Sequence, residues 1–228
     1  MSLTLFIHPL ASFCHKVLIA LYENGTAFRA QTVDFGDPGS AAAHFERWPV
    51  GKIPVLLDER AGRTVPETSI IIEYLQEHYP GQKALIPADP WQRLETRLWD
   101  RFFDLYVSVP MQKIVTDRIR PAGSSDAFGV AEAREALLTA YGMIEQRMSD
   151  RRFAVGETFT MADCAAAPAL FFASIVQPFA REQRCLAAYF DRLLERPSVE
   201  RTIHEARPYF DLFPYRDAMP KKFLGENG

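Results

Sequence analysis

The chain has 228 residues, a formal net charge of −3, 48% hydrophobic residues and 17 phenylalanines, enough for one large or two small domains with a substantial core. The near-balanced charge excludes a general electrostatic affinity for nucleic acid or an anionic membrane. Three scattered cysteines, Cys14, Cys164 and Cys185, form neither a disulfide framework nor a metal spacing, which points to a reducing compartment and no metal.

Met1-Ser2 runs straight into a strand pattern without the basic start and cleavage site of a signal peptide, so a cytoplasmic location is expected. "LTLFIH" (3–8) is a compact apolar run that reads as an interior strand. In the helix expected over 13–24, Cys14, Val17, Leu18 and Leu21 fall at i, i+3, i+4 and i+7, one buried stripe ended by Asn24-Gly25. A second strand is expected within 27–35 and a short helix near 41–47. Residues 53–67 read as two strands turned around Arg60-Ala61-Gly62. A helix over 68–79 follows, with Ile71, Tyr74, Leu75 and His78 on one side and Pro80-Gly81 as its stop.

The order βαβ, hairpin, helix implies a four-stranded α/β layer over residues 1–80. A polar, proline-containing linker (81–89) leads to residues 90–228, where only helices are expected: 90–120, 129–150, 161–176, 183–195 and 197–206. The most apolar run, 164–180, is shorter than the roughly 20 residues of a membrane span and is interrupted by Pro168, Gln177 and Pro178, so it reads as a buried helix. Thr160 and Asp163 have the spacing of a capping box, with Phe159 and Cys164 at the staple positions, which makes Asp163 a structural carboxylate.

"FIHPLASFCHKVLIAL", "GKIPVL", "PETSIIIEYL" and "FAVGETFTMADCAAAP" occur in this order across most of the chain. Together they resemble the soluble glutathione S-transferase superfamily, in a bacterial-like, serine-type form. The resemblance implies a thioredoxin-like N-terminal domain, a helical second domain, a homodimer and detoxification chemistry. It implies a cis peptide bond before Pro54, with the main chain of Ile53 offered to an extended peptide as if to a neighbouring strand. That peptide would be glutathione, the co-substrate. At the start of the helix, Thr68 or Ser69 would act as cap and leave N–H groups for the γ-glutamyl carboxylate, while Glu67 takes the ammonium. Lys52 and His44 are candidates for the glycine carboxylate; Phe35, Trp48 and Pro49 read as packing.

The turn "ASFCHKV" superimposes on a redox C-x-x-C-K pattern with Ala11 at the reactive first position, so dithiol exchange is not expected. Cys14 lies on the apolar stripe and reads as an inert thiol. Ser12, one place after the family's usual slot, is the candidate catalytic residue; the plainer alternative is that it only caps the helix. As a hydrogen-bond donor it would stabilise the glutathione thiolate. Lowering a thiol pKa by two units needs about 2.7 kcal/mol, and a donor to a charged sulfur supplies about 1.5–3 kcal/mol. His8 and His15 flank the turn, with His15 expected in solvent. Tyr106, Pro110 and Met111 are expected to face the turn, the aromatic segment 209–220 to cover it, and a small hydrophobic electrophile to be the second substrate. A non-catalytic binding module, motivated by Ala11, and a glutathione-dependent isomerase or dehalogenase are the competing readings.

Overall fold

The structure, a computed structural model, describes residues 2–225. A four-stranded sheet is built from β1 (Leu3–Ile7), β2 (Arg29–Thr32), β3 (Val55–Asp58) and β4 (Arg63–Pro66) in the order β2-β1-β3-β4. β1 runs parallel to β2, with Leu5 opposite Ala30, and antiparallel to β3, with Leu5 opposite Leu56. All five β1 residues are buried, as expected of a central strand covered on both faces. The β3–β4 hairpin turns through Gly62 at φ +62°, and Asp58 Oδ1 accepts the N–H groups of Arg60 (3.0 Å) and Ala61 (3.1 Å).

Helices α1 (Ser12–Asn24) and α3 (Thr68–His78) cover one face of the sheet. The predicted stripe of Cys14, Val17, Leu18 and Leu21 packs there on Leu3, Leu5 and Ile7, together with Ile71 and Leu75. Gly25 in the left-handed conformation closes α1, its N–H reaching the carbonyls of Leu21 and Tyr22. Helix α2 (Pro38–Arg47) starts earlier than expected, because Asp37 caps it by accepting the Ser40 N–H at 2.8 Å. On α3 the expected apolar side is corrected: His78 is exposed and Tyr74 half-buried, whereas Ile72 is buried. Ile71 and Leu75 serve the sheet, and Ile72 joins the core of the helical part.

That part comprises α4 (Pro90–Phe102), a π-helical segment (Phe103–Ser108), α5 (Val109–Asp117), α6 (Ala127–Arg147), α7 (Met161–Val176), α8 (Arg184–Leu194), α9 (Pro197–Ala206), two short 3₁₀ turns and α10 (Lys221–Leu224). The fold is thus a thioredoxin-like layer followed by a helical domain, as the sequence led one to expect. The continuous helix expected over 90–120 is broken by the π segment. Helix α7 is buried all round except at Ser174. The capping box forms at its start: Asp163 Oδ2 accepts from the Thr160 N–H (2.8 Å) and hydroxyl (3.1 Å), while Oδ1 accepts from Ala154 N–H and the Tyr189 hydroxyl. No described helix is long and apolar enough to cross a membrane.

α1 is the shared element. Its second face packs on α7 and α9, with Ile19 and Ala20 in the large helical core. At its end Glu23 takes hydrogen bonds from Arg196 (2.6 and 3.0 Å), Ser198 (2.5 Å) and Lys83 (2.9 Å). Burial alone would raise the Glu23 carboxyl, but these partners outweigh it and hold the group down to about 2.

Candidate active site

Where β1 ends, the chain turns at His8–Ala11 before entering α1, and the loop before β3 approaches it from the side. A cleft of about 540 Å³ opens between these two segments, the start of α3 and the wall formed by α4, the π segment and α5. Gly51, at φ +71°, shapes the loop; a Cβ there would also run into the ring of Phe45.

Lys52, Ile53, Pro54, Glu67 and Thr68 all border the cleft. The Ile53–Pro54 bond is cis. Pairing of β3 begins only at Val55, opposite Phe6 and Pro66, so Ile53 lies outside the ladder. Glu67 occupies the N-cap position of α3 with φ +68°, the sole non-glycine positive φ among the described residues. Such a conformation costs about 1–3 kcal/mol and collects at ligand sites. Neither Thr68 nor Ser69 caps the helix as expected. Thr68 is already the first helical residue, and the Ser69 hydroxyl is drawn into the interior.

That interior holds a buried ionic cluster. Lys16 Nζ lies 2.7 Å from Asp100 Oδ1, 2.7 Å from Asp104 Oδ2 and 3.0 Å from Ser69 Oγ, and Ser69 donates to Asp100 Oδ2 at 2.6 Å. Side-chain exposure is 1% for Lys16, 1% for Asp100 and 5% for Asp104. Asp104 also borders the cleft. Burial pushes its carboxyl up to about 6; Lys16 opposes the rise and Asp100 adds to it.

Ser12 is the first residue of α1 and only 4% exposed. The cleft itself is bordered by its neighbours Ala11 and Phe13. The capping alternative is not met: Ala11 holds the N-cap position and no side chain caps the helix. Instead Ser12 Oγ accepts a 3.3 Å hydrogen bond from Nε2 of Gln112, which reaches over from α5 and borders the cleft. Cys14 is fully buried and its thiol is pushed up to about 12 by burial, so it is inert as expected. His8 is shifted down by partial burial, against a weaker upward pull from Asp34.

Several expectations are corrected. His15 is not in solvent: it is 2% exposed, its Nε2 pairs with the Pro9 carbonyl at 2.5 Å, and burial lowers it to about 4. His44 is fully buried, its Nε2 3.1 Å from the Lys52 carbonyl, so it braces the loop from behind. Phe35 and Trp48 border the cleft instead of serving only as packing. On the far wall the cleft-facing residues are Arg101, Asp104, Leu105, Val109 and Gln112, while Tyr106 is exposed and Met111 buried in the core. The 209–220 segment does not cover the cleft: Phe210, Phe213 and Met219 enter the core, and Tyr209 meets His8 edge-on at 5.7 Å. Gln112 and Asp104 had no local sequence signal to identify them.

Comparison with known proteins gives matches along the chain. Residues 5–83 match the family model "Glutathione S-transferase, N-terminal domain" and residues 106–197 match "Glutathione S-transferase, C-terminal domain". Glutathione S-transferase U24 of Arabidopsis thaliana is 29% identical over 200 residues, 85% of this chain and 86% of that protein. A stringent starvation protein A homolog of Histophilus somni is 26% identical over 208 residues, covering 90% and 92%. Among solved structures, a glutathione S-transferase of Methylobacterium radiotolerans in complex with glutathione sulfonate superimposes with a TM-score of 0.75 at 28% identity, over 88% of this chain and 93% of that one.

Proposed function

We infer that this chain, which belongs to the glutathione S-transferase superfamily, binds glutathione in the cleft and adds its thiolate to a small hydrophobic electrophile. The observation that carries this reading is the convergence of three unlike features on one cleft: the main chain of Ile53 outside the ladder, the strained Glu67 at a helix start, and Gln112, which reaches back to the Ser12 hydroxyl just behind the wall. They suit the three parts of one extended peptide. The cysteinyl segment pairs with Ile53 as an added strand. Its γ-glutamyl head meets an acidic side chain for the ammonium and first-turn N–H groups of α3 for the carboxylate. The thiolate takes the Ser12 hydroxyl as donor, and Lys52 meets the glycine carboxylate. Phe13, Phe35, Leu105 and Val109 supply the apolar surface for the electrophile. The relative of known structure with bound glutathione sulfonate supports the ligand class.

A cytoplasmic homodimer with a detoxifying role fits this reading. Ile70 on α3 and Trp91, Leu94 and Leu98 on α4 are all more than half exposed, and an apolar stripe of that kind favours burial against a second copy. The second reading is a non-catalytic glutathione-binding or docking module, favoured by Ala11 in the slot at the cleft wall and by the likeness to a stringent starvation protein A homolog. A glutathione-dependent isomerase or dehalogenase would start from the same bound thiolate.

The test is thermal unfolding with and without glutathione, for the wild type and Glu67→Ala. Ligand at 100 times its Kd adds about 2.7 kcal/mol, and each kcal/mol moves the Tm of a chain this size by about 2–4 °C. A rise of several degrees that Glu67→Ala abolishes supports the site, and turnover with a panel of electrophiles then separates the transferase from the docking module. No rise at millimolar glutathione would sink the reading.

A further inference from the structure

We propose that Gln112 is a positioning residue: it commits the Ser12 hydroxyl to donating into the cleft, so that the site holds glutathione as the thiolate in preference to the thiol. The proposal rests on the glutathione reading above and assigns a task to a residue on the opposite domain.

A hydroxyl carries one O–H donor and two acceptor lone pairs, and it rotates to suit its partners. At Ser12 the oxygen is engaged by the Gln112 amide N–H across a separation of 100 residues. The hydroxyl hydrogen has no acceptor among the described residues. That leaves the O–H free to donate to a ligand. The cleft bordered by Ala11, Phe13 and Gln112 itself is where one can enter. Accepting from an amide also polarises the hydroxyl and strengthens it as a donor.

A thiolate sulfur is an acceptor only, whereas a thiol brings a proton that must itself be accommodated. With part of the oxygen's acceptor capacity taken by Gln112, Ser12 favours the deprotonated ligand. The thiol proton leaves to water, and no covalent bond to Ser12 forms. This arrangement offers a physical reason why Ala11 can stand in the family's usual slot. The donor sits one residue further into α1, and a side chain from α5 fixes its orientation. Gln112 shares the cleft wall with Leu105 of the π segment and Val109 of α5.

The experiment is an ultraviolet titration of the thiolate of glutathione bound to the intact protein, for the wild type, Gln112→Glu, Ser12→Ala and the double variant, with binding of each followed by calorimetry. A glutamate carboxylate has the size of the amide but only accepts, so the Ser12 hydroxyl turns away from the sulfur to meet it. We expect Gln112→Glu to raise the bound thiol pKa by about one unit, a tenfold loss of thiolate near neutrality. The rise should be much smaller in the Ser12→Ala background, where the hydroxyl is already missing. Gln112→Met removes the donor without adding charge and should move the pKa in the same direction. An equal rise in both backgrounds means that charge repulsion acts alone, and it overturns the proposal, as does no rise at all. A wild type that does not bind glutathione overturns the transferase reading itself; binding with equal shifts overturns only the role of Gln112.

Discussion

Replacing Lys16 by methionine isolates the buried ionic cluster beside the cleft. Methionine keeps the length and apolar stem of the side chain and deletes the charge. In the wild type one ammonium faces two carboxylates at 2.7 Å each, with all three side chains 5% exposed or less. At an effective dielectric constant of about 20, each attraction is worth about 6 kcal/mol, most of which is offset by the desolvation of the three groups. Removing the ammonium leaves that desolvation uncompensated and two carboxylates facing each other, so the expected loss is about 3–5 kcal/mol near neutral pH. The corresponding drop in Tm is about 6–20 °C. The pH dependence carries the sharper test. The Asp104 carboxyl, already raised to about 6, rises further once its cation is gone. A group whose folded pKa lies above its unfolded value is accommodated fully at low pH and becomes costly as pH rises through that window. The wild-type advantage should therefore be small near pH 4 and grow toward pH 8 in urea titrations. A deficit below about 1 kcal/mol, or one that does not change between pH 4 and 8, would refute the reasoning.

Three further outcomes are expected. Cys14→Ser should leave glutathione-dependent turnover unchanged, since burial holds the thiol near 12, while urea unfolding reports a loss of about 1–3 kcal/mol from a hydroxyl placed in an apolar pocket; lost turnover in a folded variant would contradict the inert assignment. Glu67→Gly should relieve the backbone at φ +68° and raise stability by about 1 kcal/mol while abolishing the glutathione-induced rise in Tm; a variant that still responds fully to glutathione would remove Glu67 from the site. Glu23 is held at about 2 by Arg196, Ser198 and Lys83 against its burial, so its contribution is present above about pH 4.5 and fades as pH falls toward 2. Glu23→Gln should cost about 3 kcal/mol at pH 7 and flatten that acid limb, which chemical denaturation at several pH values would measure.

What the sequence determined by itself is whatever depends on neighbours within a turn or two. β1 reads as an interior strand because Leu3–Ile7 is an unbroken apolar run. The α1 stripe, the Gly25 stop, the hairpin around Gly62 and the capping box of Thr160 and Asp163 follow from spacing and turn chemistry that operate over a few residues. The short motifs around Pro54 and Glu67 were legible through their resemblance to a known family, and the cleft brings them together. Only the tertiary structure decided which charges are buried and which faces meet. His15 and Lys16 lie off the apolar stripe of α1, and polar residues there read as solvent-facing until α7 and the π segment cover that second side. Lys16 meets Asp104 across 88 residues and Ser12 meets Gln112 across 100, pairings with no local periodicity to announce them. The π turn at Phe103–Ser108, which supplies Asp104 and Leu105 to the cleft wall, left no mark in the helical spacing. Local propensity specifies elements, whereas a site assembled from opposite domains is specified by packing, because its partners become neighbours only after the chain has folded.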